Sequence, residues 1–418
     1  MNQAVDNPTP WRRGFWFLMA TQCQNAFSDN ALKNLVILLV LSRPMSQSER
    51  DNAVALASAL FALPFITFSM FGGWLADRFS KQRVMAWVKV AEVFIMLFAA
   101  LALGLHSLPL QLGAVFLMGC HSAFFGPSKY GILPEVLPIE KLSWGNGILE
   151  LLTFVGIILG TLTGGVLAGR FVERPWMSGV LLACLALAGW AASNLIPKVP
   201  AANPHRPLQL NPARDLFVQM RKMAPDSLLW RANLGNTGFF FIAALVQMNL
   251  VLFAHDVLHL SESKNALLNA ALAIGIGIGS VIAGYASHGK IEYRLVTVGS
   301  VVMALSTLPM GLETVNAETF AGMLLLLGFG AGLFIVPVCA VLQNRPAPGD
   351  KGAVQGAASV LSFVGILASS GVQRILHAAL SSGKIFWLCG AFAIALGIYV
   401  RGGKQAPPDC GDGLRNPE

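Results

Sequence analysis

The chain has 418 residues, of which 55% are apolar and only 12% charged, and its mean hydropathy is +0.62. Soluble domains carry about 25% charged residues, so the composition excludes a soluble globular protein and points to a polytopic membrane protein. The formal charge of +8 reflects 29 Lys and Arg against 21 Asp and Glu. These basic residues cluster at the ends of apolar runs, which argues for membrane orientation and not for nucleic acid.

Twelve runs of about 20 residues are apolar enough for a helical span. They cover approximately 14–41, 52–75, 83–105, 108–131, 143–169, 176–195, 228–254, 264–286, 294–312, 318–342, 352–378 and 383–401. With both termini cytoplasmic, the inner segments hold 20 of the 29 Lys and Arg and the outer loops 7, Lys33 and Lys89 lying within spans. That asymmetry follows the positive-inside rule. The expected fold is therefore all-α, with twelve transmembrane helices in two six-helix bundles. Its parts would be an N-terminal bundle over 1–196, a cytoplasmic linker over 197–227, a C-terminal bundle over 228–401 and a disordered tail over 402–418.

The first span follows Trp11-Arg12-Arg13 and is too long and too polar in its middle for a signal peptide, so it should persist as a helix. Its stretch AFSDNALKNLVILLVL (26–41) puts Asp29, Asn30, Lys33 and Asn34 at membrane depth. Each acid or base there costs about 2.5–3.5 kcal/mol, against a few tenths returned per Leu or Val. Such a face must look into protein or water. Asp29 and Lys33 are four apart and can pair.

After the second span comes GGWLADRFSKQR (72–83), and its C-terminal counterpart begins at Gly284 with His288 in place of Asp77. Gly73 permits close helix packing, Asp77 can cap and charge-pair at a gate, and Arg78, Lys81 and Arg83 anchor the loop. The third span carries Lys89 and Glu92, three apart, for which a structural ion pair and a cavity role are both open. In the fourth, FFGPSKYGILPE (124–135), Pro127 should break the helix and free backbone groups beside Lys129. His121, higher in that span, reads as a hydrogen-bonded interior residue. The fifth span contains GNGILELLTF (145–154), with Asn146 and Glu150.

The polar interruption at 197–226 separates six spans from six. Within it, PARDLFVQMRKM (212–223) has the pattern of a basic amphipathic helix on the membrane face, a solvated linker being the alternative. The halves echo each other: GNGILELLTFVGIILG from Gly145 aligns without gaps to VQGAASVLSFVGILAS from Val354. In register, Asp29 meets Ala244, Lys33 Met248, Lys89 Ser300, Glu92 Met303 and Glu150 Ser359. Polar recognition should thus be one-sided, with Gln247, Asn249, Asn269, Gln343 and Gln355 the few polar options of an apolar C-terminal wall. Parallel six-helix repeats with a midplane site are the major facilitator architecture.

Other patterns carry less. GIGIGSVIAG (275–284) lacks a preceding strand, so helix packing through small residues explains it better than a nucleotide loop. His255, Asp256 and His259 form a solvated span end and not a metal site. Cys23, Cys120, Cys184, Cys339, Cys389 and Cys410 show no ligand spacing. No nucleophile constellation or cofactor motif is present in the sequence, so an enzyme is not expected.

The 72–83 segment resembles the loop signature of the major facilitator superfamily. SDNALKN (28–34), WVKVAEV (87–93), FFGPSKYGILPE and GNGILELLTF together resemble the bacterial lysophospholipid transporter family. The closest likeness is to its branch associated with acyltransferase and acyl-carrier-protein synthetase modules. The resemblance implies movement of lysophospholipid, such as lysophosphatidylethanolamine, from the outer to the inner leaflet of the bacterial cytoplasmic membrane for reacylation. It implies an alternating-access monomer, with an acyltransferase as a potential partner. By motif, Asp29 and Lys129 carry over as cavity or gating residues, and Asn30, Asn146 and Glu150 as their framework. The chain departs from the family in the seventh span, where Gln247 aligns with an Arg; Lys33 is the expected substitute. An exporter or symporter of a polar or drug-like solute, and a non-transporting scaffold for an acyltransferase, are the alternatives.

Overall fold

The computed structural model describes residues 10–312 and 314–402. The 403–418 part of the expected tail lies outside the described residues. The described residues form thirteen α-helices, α1 (Pro10–Leu41), α2 (Gln47–Arg78), α3 (Lys81–Gly104), α4 (Leu108–Val136), α5 (Leu142–Arg170), α6 (Trp176–Ser193), α7 (Pro212–Met223), α8 (Ser227–Asp256), α9 (Glu262–Ala286), α10 (Arg294–Met310), α11 (Ala317–Asn344), α12 (Lys351–Ala379) and α13 (Ser382–Arg401). Among the described residues, ten are long and apolar enough to cross a membrane. Of the others, α7 is the linker helix, α10 is apolar but has 17 residues, and α1 has 32 residues with a polar centre.

The two halves pack by one plan. In the first, α1 lies on α5 and α6, α2 on α4, and α3 on α4 and α6. The second repeats each pairing, α8 on α12 and α13, α9 on α11, and α10 on α11 and α13. Close approach depends on glycine. A Cβ on Gly156, Gly160 or Gly164 of α5 would lie 2.5, 2.3 and 2.7 Å from carbonyl oxygens of α1, so that face of α5 tolerates no side chain.

The bundles meet through α2 against α12 and α5 against α9. Both contacts tighten at the end where the linker lies, here termed the linker end. Gly73 abuts the Gly352 carbonyl, Gly356 the Ser69 carbonyl, Gly147 the Ser280 carbonyl, and Gly284 the backbone of Trp144. Farther along, Phe65 of α2 stacks on Phe363 of α12 with ring centroids 3.9 Å apart.

The linker helix α7 forms over the expected residues, capped by Asn211, which accepts from the Arg214 N–H at 3.1 Å. It packs on α2, α8 and α12, burying Asp215, Gln219 and Met223. The break expected at Pro127 does not occur. α4 runs unbroken through Pro127 and Pro134, because neighbouring helices hold it in place. Pro127 still removes the donor for the Ala123 carbonyl, which instead faces α2 where Gly72 leaves room.

Candidate functional site

The polar face of α1 enters a buried network shared with α3 and α4. The Ser122 hydroxyl lies 2.7 Å from both oxygens of Asp29, and the Asn25 amide donates to Asp29 Oδ2 at 3.1 Å. Lys89 Nζ donates to Glu92 Oε2 at 2.6 Å, Gln24 Oε1 at 2.7 Å and Asn25 Oδ1 at 3.0 Å. Glu92 also accepts from the Gln24 amide at 2.9 Å, and His121 Nε2 lies 3.3 Å from it. Lys89 and Glu92 are fully buried, and all three ammonium donors are used. That is the geometry of a structural pair.

Asp29 and Lys33 do not pair. Among the described residues no carboxylate lies within 4.0 Å of Lys33, whose ammonium sits 5.2 Å from the Phe61 ring centroid. Ser122 and Asn25 turn the Asp29 carboxylate toward α4, while Lys33, one turn on, reaches toward α2. Asn30 donates to the Ala26 carbonyl of its own helix at 2.9 Å and serves the framework of α1.

Lys129 is buried, yet among the described residues no carboxylate lies within 4.0 Å of its ammonium. Its Nζ rests 4.1 Å from the Tyr130 ring centroid, and the Tyr130 hydroxyl donates to Glu150 Oε1 at 3.3 Å. Ser122 and Lys129 are seven apart on α4 and share a face about 10 Å long. Between them, a Cβ on Gly126 would meet nothing within 4 Å, so this face opens onto empty space. Across the interface stands α11, which meets α4 and α5 and is buried and apolar from 330 to 342. Gln247 is exposed and hydrogen-bonds to no described residue, so it does not join this cluster.

Asn146 sits elsewhere. It is fully buried and exchanges two amide hydrogen bonds with Gln343 of the other bundle, both 2.8 Å. At the α2–α12 contact, the buried Asp77 carboxylate accepts from the N–H groups of Gly352 at 2.6 Å and Ala353 at 2.9 Å. A negative charge there also complements the positive end of α12. Arg206 of the linker donates to Asp77 at 2.6 Å and lies 3.4 Å from Asp215 of α7, so the strap closes over the gate. Arg78 Nη1 and Trp74 Nε1 both donate to the Arg206 carbonyl. Lys81 pairs with Glu135 at 2.6 Å within the first bundle, and Arg83 is exposed. Among the described residues, every hydrogen bond between the bundles lies at the linker end.

Sequence reasoning missed Gln24, Asn25, Ser122, Tyr130 and Arg206 as members of these networks. A signal existed for the first two, one turn before Ser28 and Asp29 on the same face of α1. Nothing local marked Arg206, 129 residues from Asp77.

Comparison with known proteins agrees with this architecture. The family model described as Major Facilitator Superfamily matches residues 18–370. The lysophospholipid transporter LplT of Salmonella typhimurium strain LT2 is 32% identical over 356 residues, 82% of this chain and 83% of that protein. The LplT of Salmonella newport strain SL254 matches to the same extent. Among solved structures, the human organic anion transporter MFSD10 superposes with a TM-score of 0.79 at 15% identity, covering 94% of this chain and 99% of that one. FucP in its outward conformation gives 0.77 at 10% identity, covering 95% and 100%. The fold, the paired six-helix packing and these matches over most of the chain place this multi-pass membrane protein in the major facilitator superfamily, in the family that includes LplT.

Proposed function

We propose that the protein moves lysophospholipids from the outer to the inner leaflet of the bacterial cytoplasmic membrane by alternating access, with its linker end in the cytoplasm. The observation that carries this reading is Lys129, a buried ammonium with no carboxylate within 4.0 Å among the described residues, on an α4 face open at Gly126 and opposed by the apolar α11. A point charge there suits a phosphate, and Asp29 of α1, held against the same face of α4 by Ser122, suits an ethanolamine ammonium. The apolar wall takes the acyl chain. The 32% identity to LplT supports lysophospholipid as the cargo. Fold and relatives are those of transporters and not of enzymes.

In this reading the closed linker end belongs to the outward-facing state, and Gly73, Asp77, Arg206 and the Asn146–Gln343 pair hold it shut. The working parts are the bundles over 1–196 and 228–401, joined by the linker over 197–227. Reacylation by a cytoplasmic acyltransferase would draw the flux inward.

The test is leaflet-resolved flux of labelled lysophosphatidylethanolamine in proteoliposomes. Asp29→Asn and Lys129→Met should each lower flux at least about tenfold, the loss of one charge-assisted contact of about 1.5–3 kcal/mol. Lys33→Met, farther along the same path, should lower it less. Near-normal flux in all three folded variants would remove the site. No lysolipid movement by the intact protein, alongside uptake of a polar solute, would remove the cargo.

A further inference from the structure

The two closures at the linker end share one packing plan and differ in chemistry. At the α2–α12 closure the protein supplies an anion: Asp77 binds the first N–H groups of α12, and Asp350 lies just before that helix. At the α5–α9 closure the matching positions are basic. His288 stands where Asp77 does, four residues after the gate glycine, and Lys141 stands where Asp350 does, as the last residue of an equivalent 3-10 turn. Neither Lys141 nor Asp350 caps its own helix, so α12 relies on Asp77, and among the described residues α5 has no such acceptor.

Where the linker strap fills the first closure, the second holds a cavity of about 720 Å³. Among the described residues, Arg12, Lys141 and His288 line it with a single carboxylate, Glu140, and its walls include Trp11, Trp16, Trp144 and Tyr285. Trp144 packs edge-on against both Trp11 and Trp16, and Arg12 lies 5.7 Å from the Trp11 ring centroid. Aromatic side chains interleaved with basic ones, at the end of membrane helices, match the headgroup layer of a bilayer.

We propose that an anionic phospholipid of the cytoplasmic leaflet seats its phosphodiester in this cavity and supplies, at the α5–α9 closure, the anion that Asp77 supplies at the α2–α12 closure. The proposal rests on the orientation given above. Its lining comes from both bundles, and Gly284 touches the backbone of Trp144 at its floor. Parting of the linker end would therefore split the site. A lipid that binds only the joined form favours the outward-facing state by its difference in affinity for the two.

The full-length protein is titrated with phosphatidylglycerol and with phosphatidylethanolamine under native mass spectrometry. Phosphatidylglycerol should be retained more tightly. Arg12→Gln combined with Lys141→Gln should weaken it about thirtyfold, a factor of about five for each basic residue. In phosphatidylethanolamine nanodiscs, added phosphatidylglycerol should slow hydrogen exchange at 142–148 and 281–289 in the parent and not in the double variant. His288→Asp, which puts a carboxylate in the place matching Asp77 and tolerates the left-handed backbone there (φ 44°), should slow that exchange without phosphatidylglycerol.

Equal retention of the two lipids, or retention unchanged in the double variant, would overturn the proposal. So would displacement of phosphatidylglycerol by lysophosphatidylethanolamine, which would make the cavity a substrate port. Retention only after removal of residues 2–9 would make the N-terminal segment the occupant and overturn it too. Lys129→Met should lose flux while keeping phosphatidylglycerol, so failure here and failure of the transport reading are separable.

Discussion

Replacing Asp77 with Asn should loosen the linker end while leaving the bundles folded. The carboxylate is fully buried and accepts three hydrogen bonds, two from α12 across the interface at 2.6 and 2.9 Å and one from Arg206 at 2.6 Å. An Asn amide keeps one acceptor oxygen and turns an NH2 group toward N–H groups that need an acceptor. One charge-assisted bond across the interface is lost, about 1.5–3 kcal/mol. The charge at the start of α12 contributes about a further 0.3–1 kcal/mol. The closed arrangement should thus lose about 2–4 kcal/mol, and its opening constant should rise between about thirtyfold and about a thousandfold. Hydrogen exchange at 351–357 reads that constant directly when closing is fast. Exchange in α13 serves as the control for global unfolding. Arg206→Met, which leaves both backbone bonds to Asp77, should produce a smaller rise. Exchange at 351–357 within twofold of the parent in Asp77→Asn would refute the gate assignment.

Lys89→Met should destabilise the protein by about 3–5 kcal/mol, because it strands the Glu92 carboxylate in a dry interior, and combining it with Glu92→Leu should restore most of the loss in a detergent melting curve. A stable double variant with abolished flux would instead give the pair a transport role. Gly160→Leu should prevent a monodisperse fold on size exclusion, since its Cβ alone would sit 2.3 Å from the Phe27 carbonyl. Gly169→Ala on the same helix meets nothing within 4 Å and should be neutral or stabilising by about 0.5–1 kcal/mol.

Hydropathy located the helices because a bilayer leaves the backbone few other options. It placed their ends less well: α2 continues to Arg78 and α4 to Val136, past the apolar runs. Helices extend into the headgroup layer, where polar side chains no longer oppose them. Contacts one helical turn apart were partly legible. Lys89 and Glu92 pair as their spacing allows, whereas Asp29 and Lys33, equally spaced, do not. The difference lies in Ser122, 93 residues away, which offers Asp29 a better partner. The Asn146–Gln343 pair spans 197 residues and the Asp77–Arg206 pair 129, and neither separation leaves a trace in local pattern. The identity of the polar residues was therefore readable, but their partners were decided by the packing.

The internal repeat supplies the mechanics twice and the chemistry once. Glycine-to-backbone contacts close both seams, at Gly73 with Gly352 and Gly356 and at Gly147 and Gly284, so either bundle can swing on matched surfaces. The ionic network of Asp29, Lys89 and Glu92 has no counterpart, because Ala244, Ser300 and Met303 occupy the equivalent places. In the proposed reading, a solute polar on every side would leave α11 unmatched, and a fully apolar one would leave the buried Lys129 ammonium with no anion within 4.0 Å among the described residues. A molecule with the same division, charged at one end and hydrocarbon at the other, satisfies both walls together in the proposed reading. The proposed cargo is thereby tied to the divergence of the two halves.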